Sequence, residues 1–69
     1  RKYKLTDLTD DFGTFNNFKD VHYAAQEYFG SNIEPSINDI KTSLKRYGDA
    51  RVTSVMDRKG QYPIWIEII

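Results

Sequence analysis

Seven residues in the second half of the chain have side chains suited to recognition chemistry: Asn38, Lys41, Thr42, Lys45, Arg46, Arg58 and Lys59. At about 100° per residue the first five fall in one contiguous sector of a helix. The opposite side of that helix carries an apolar stripe of Ile37, Ile40, Leu44 and Tyr47. Amide and hydroxyl groups in such a sector can read base edges, while Lys and Arg reach phosphates or guanine. Arg58 and Lys59 belong to Asp57-Arg58-Lys59-Gly60, a turn sequence between two runs of β-formers. From a hairpin tip they would follow flanking phosphates or enter a minor groove. An ordinary solvated helix face shows the same residue types, because polar residues must lie opposite a core stripe, and basic hairpin tips also serve solubility.

Catalytic chemistry finds little support. His22, the only histidine, falls mid-helix near Asp20 and Gln26, with no partner at ligand or relay spacing, so a structural role is expected. Adjacent Asp10 and Asp11 diverge, which favours capping or loop roles over a paired acid and base. Gly48-Asp49 and Gly60 are isolated, so no phosphate-cradling glycine loop forms. The chain has no cysteine, which excludes disulfides and thiolate metal sites. No catalytic residue, metal ligand or cofactor is therefore expected, and the domain is not read as an enzyme, although a longer parent protein could be one. Trp65 and the tyrosines could stack single-stranded bases, but in 69 residues most aromatics must build the core.

The elements that hold these residues can be read from spacing and caps. Phe18, Val21, Ala25 and Tyr28 recur at helical spacing, flanked by Ala24 and Phe29. Asn16 or Asn17 should cap that helix, Asp20 suits its first turn, and Gly30 should end it. Ala24-Ala25 would let a neighbouring helix approach closely. Residues 31–35 read as a turn. Ser36 with Asp39 three residues on resembles a capping box, opening a helix that should run to about Tyr47 and stop at Gly48. Residues 51–56 and 61–69 read as strands, with 58–60 as the turn. In the last strand Tyr62, Ile64, Ile66 and Ile68 share one face and Trp65 and Glu67 the other. Pro63 cannot donate to a ladder, so this strand lies at an edge or starts late. The N-terminal 14 residues are ambiguous: Tyr3 and Leu5 alternate with Lys2 and Lys4 as in a strand, while Leu5, Leu8 and Phe12 could line a short helix. Gly13-Thr14-Phe15 reads as a brief strand.

Sixty-nine residues make one domain. A domain of this size buries only about 60% of its unfolded surface, so each core residue counts. Four Phe, five Tyr, one Trp and the C-terminal isoleucines supply the core stock. The opening Arg1-Lys2-Tyr3 has no methionine, which is read as a fragment of a longer protein. No apolar run approaches the ~20 residues of a membrane span, so no membrane partner is expected. The lack of cysteine fits a reducing cytosol, and a cytoplasmic location is expected. Net charge is zero, which argues against a generic polyanion binder. The distribution is uneven: residues 1–40 hold four basic against seven acidic residues, and residues 41–69 hold six against three. The halves thus carry −3 and +3, a pattern that hints at a basic binding face.

Helix, turn, helix and then a hairpin with a basic tip resembles, in element order over residues 13–69, the winged helix-turn-helix superfamily. It is loosely similar to winged-helix domains that end replication proteins of phages and mobile elements, which often contact origin DNA. The resemblance implies an α+β fold, a recognition helix at 36–47, a wing at 51–69 with its tip at 57–60, and double-stranded DNA as partner. The implied function is DNA binding by a terminal or accessory domain of a protein of DNA replication or transcription regulation. A first helix would then occupy residues 5–12. If residues 2–6 instead form a strand pairing with the C-terminal one, the fold is a small β-α-α-β-β module. The competing function is a protein–protein interaction module that uses the free edge of the C-terminal strand, whether for another protein or for other domains of the parent chain.

Overall fold

A computed structural model describes residues 1–56 and 62–69; Arg58, Lys59 and the expected turn 58–60 lie outside the described residues. Seven elements follow in the order β1 (Tyr3–Thr6), β2 (Asp11–Phe15), α1 (Phe18–Phe29), β3 (Ile33–Glu34), α2 (Ile37–Tyr47), β4 (Asp49–Ser54) and β5 (Ile64–Ile68). The strands form one antiparallel sheet in the order β2-β1-β5-β4-β3.

This architecture corrects the winged-helix expectation. No helix occupies residues 5–12: a turn after Thr6 folds the N-terminus into the hairpin β1–β2. The turn is set by Asp7, whose Oδ1 accepts from the amides of Thr9 (2.8 Å) and Asp10 (2.7 Å). Such a local side-chain-to-backbone bond competes with helix formation, which is why aspartate favours turns. β1 then pairs along its whole length with β5, Leu5 opposite Ile66. A wing's outer strand is thereby excluded, since β5 has neighbours on both sides. The β-α-α-β-β alternative is corrected too. Its pairing of an N-terminal strand with the C-terminal one is present, but β2 and the short β3 make the order β-β-α-β-α-β-β. Because β5 is central, the free edge assigned to it for protein docking does not exist; the sheet ends at β2 and β3.

The two helices follow the caps in the sequence. Asn17 accepts from the Asp20 amide, and Ser36 accepts from the Asp39 amide. Gly30 and Gly48 end the helices at φ 69° and 84°, left-handed values that glycine adopts without a Cβ clash. Both helices lie on one face of the sheet. There Leu5, Ala50, Val52, Ile64 and Ile66 meet Val21 and Ala25 of α1 and Ile40 and Leu44 of α2 in one core. The small Ala25, fully buried, serves a close approach to the sheet rather than to the other helix. Ile40 and Leu44 likewise turn toward β4 and β5. β5 starts after Pro63, as a residue without an N–H to donate requires.

Among the described residues no helix covers the other face of the sheet. Alternation and register place Thr14, Lys4, Glu67 and Asp49 in one cross-strand row and Asp11, Thr6, Trp65 and Arg51 in the next. No helix among the described residues is long and apolar enough to cross a membrane.

Candidate nucleic-acid interface

Asn38, Lys41, Thr42, Lys45 and Arg46 are all exposed on the side of α2 turned away from the sheet. Their common face follows from burial of Ile40 and Leu44 opposite. Lys45 and Arg46 occupy the last turn, where the helix dipole favours cations, so their charge sits there without cost to the helix. Among the described residues the one ion pair joins Lys4 to Asp11 at 3.9 Å, on the far side of the sheet. The three cations of α2 therefore have no ion-pair partner among the described residues.

Two of the five differ from what a recognition helix would offer. Thr42 Oγ1 donates to the Asn38 carbonyl (2.9 Å), so its hydroxyl proton is already committed within the helix. Lys41 Nζ lies 5.0 Å from the centre of the Phe18 ring, a cation–π contact that ties it to α1. Arg58 and Lys59, expected at a wing tip, fall outside the described residues.

Sequence reasoning missed the groove between the first turns of α1 and α2. Phe18, Lys19, His22, Ile37 and Lys41 line a depression of about 250 Å³. Phe18 is braced there by the edge of Tyr3 (6.1 Å) and by the ring of His22 (5.6 Å). Partial burial holds the His22 imidazole below its ordinary value of 6.5, so the ring is neutral near pH 7. Ile37, counted with the apolar stripe, is 47% exposed and faces this groove, while Tyr47 at the other end is 71% exposed. The available signal was the position of both at the ends of the stripe, beyond the reach of the sheet. No carboxylate or hydroxyl nucleophile among the described residues lines the groove beside His22 to form an acid–base pair with it. Among the described residues no cluster of His, Cys, Asp or Glu could hold a metal ion.

Trp65, weighed as a stacking platform, sits in the central strand of the helix-free face, between Thr6 and Arg51. Its surroundings decide against a polyanion. Lys4 and Arg51 share that face with Asp11, Glu34, Asp49 and Glu67, so acids outnumber bases and phosphates would be repelled. A separate apolar area lies at the β1–β2 turn, where Leu8 and Tyr62 are 70% and 71% exposed beside Tyr28.

Comparison with known protein families, characterised proteins and solved structures finds no match to this chain.

Proposed function

We propose that this chain is a DNA-binding domain of a replication or regulatory protein, acting in the cytoplasm. It grips the phosphate backbone of double-stranded DNA through the outer face of α2. One observation carries the reading: Lys41, Lys45 and Arg46 are exposed on one helix face beside Asn38 and Thr42, with no acidic partner among the described residues. Lys19 of α1 extends the same charge across the groove to Lys41.

Cations left unpaired on a surface are the groups that displace condensed counterions from DNA, and each phosphate neutralised contributes a slope of about −0.9 in log K against log salt. Three or four such contacts give weak binding that salt suppresses steeply. With no recognition helix-turn-helix and with Thr42 committed to its own helix, backbone contact dominates over base reading. This account rests on Lys41, Lys45 and Arg46 of α2, extended by Lys19 of α1, and does not use Arg58 and Lys59.

The test is a titration with random-sequence duplex DNA at two salt concentrations. Binding at the lower one that weakens with a slope of about −2 to −4 supports the reading. Absence of binding at low salt removes it.

A second reading, docking of another protein, is favoured by the exposed Leu8, Tyr28 and Tyr62 around a depression of about 250 Å³ at the β1–β2 turn. Exposed apolar clusters mark interaction surfaces more often than single exposed residues do. It predicts no salt-dependent DNA binding.

A further inference from the structure

The groove between α1 and α2 has a lining that contact with a duplex backbone does not use. Phe18 and Ile37 supply the apolar part of its lining, taken as its floor, Lys19 and Lys41 the cationic part, taken as its rim, and the His22 ring completes it. Ile37 occupies the first position of α2 and leaves nearly half of its surface to water, inside a cationic rim. Lys41, held over Phe18, keeps its ammonium at that rim and also belongs to the outer face of α2. An apolar floor between two ammonium groups fits a ligand with a flat, weakly polar body and an attached anion. Bare phosphodiester offers nothing to the floor, and a paired base is stacked and hidden within the duplex. A nucleotide whose base is unpaired presents both parts together.

We propose that this groove takes one unpaired nucleotide, its base against Phe18 and Ile37 and its phosphate between Lys19 and Lys41. The preferred partner of the domain is then duplex DNA with an unpaired nucleotide beside it, as at an overhang. The inference rests on the reading of α2 as a DNA-backbone contact and deepens it, because Lys41 joins the two surfaces.

The test compares a blunt duplex, the same duplex with a short single-stranded overhang, and inorganic phosphate, read by affinity and by chemical-shift mapping. The overhang should bind at least about fivefold tighter than the blunt duplex, the scale expected of one base stacked on a side chain. Shifts at Phe18, His22 and Ile37 should appear with the overhang and not with phosphate alone. Ile37→Ser, at a half-exposed position, should lower the melting temperature modestly but leave the protein folded, keeping the blunt-duplex affinity while abolishing the overhang preference. Equal affinity for the two duplexes, with shifts confined to Lys45 and Arg46, overturns the groove proposal and leaves the backbone reading standing. The same groove shifts with phosphate alone also overturn it, by marking a simple anion site. Failure of both duplexes to bind at low salt removes both readings.

Discussion

The ammonium of Lys41 and the ring of Phe18, 5.0 Å apart, join the two helices across the groove. Neither helix packs chiefly on the other; both rest on the sheet, so this contact is one of few that fix where α2's charged face stands relative to α1. Lys41→Met keeps the length of the stem and removes the charge. It should destabilise the domain by about 0.5–1 kcal/mol, the usual worth of an exposed cation–π pair, read as a small fall in melting temperature. A rise in melting temperature would mean that the apolar stem, not the charge, makes the contact.

Among the described residues Ser54 is the buried polar one, 3% exposed, and its hydroxyl ties its strand to the segments around it. It shares a 2.5 Å hydrogen bond with the Ser31 hydroxyl after α1 and accepts from the Met56 amide at 3.0 Å. Ser54→Ala leaves the Ser31 hydroxyl and the Met56 amide without this partner, at a cost of about 1–3 kcal/mol in denaturant unfolding. Ser54→Thr, which retains the hydroxyl, should lose less if the extra methyl is accommodated. Equal stability of the alanine variant and the parent would show that water replaces both bonds.

Acid should weaken the fold in two separate windows. His22 has its value held below 6.5 by desolvation, so the folded state prefers the neutral ring. Its contribution is present above pH 6.5 and is lost as pH falls through the lowered folded value. Asp7 has its carboxyl held below 3.8 by the backbone amides of Asp10 and Thr9. Its contribution is present above pH 3.8 and is lost as pH falls through its still lower folded value. Melting temperatures across pH should show both declines, with His22→Gln removing only the upper one and Asp7→Ala only the lower one. A decline near pH 6 that survives His22→Gln would place the titrating group elsewhere.

The helices were legible in the sequence because their signals are local. Asn17, Gly30, Ser36 and Gly48 bound them where the caps imply, and the alternation of Ile64, Trp65, Ile66 and Glu67 correctly sorted β5 into two faces. Topology was not legible, since it depends on a long-range choice. Tyr3–Thr6 is short enough to read either way, and only its pairing with the distant β5, from Tyr3 opposite Ile68 to Thr6 opposite Trp65, settles it as a strand and moves the C-terminal strand to the centre. The end of β2, Gly13-Thr14-Phe15, was legible as a brief strand, whereas its start at Asp11 was not, being exposed and paired with β1 through a register shift between Lys4 and Thr6. β3, two residues long, reads as part of a turn in any local window. For the candidate interface, the exposed sector of α2 was visible from helical spacing, whereas the groove needed α1 and α2 to be placed side by side.

The central claim, that the outer face of α2 grips DNA, is tested most directly by Lys45→Ala together with Arg46→Ala. Both residues are exposed in the last turn of α2, so the melting temperature should change little, within the few tenths of a kcal/mol each expected from lost helix-dipole pairing. Affinity for duplex DNA should fall, and the salt slope should flatten by about 1 to 2 as two phosphate contacts are lost. An unchanged affinity and slope in a folded double variant would contradict the account.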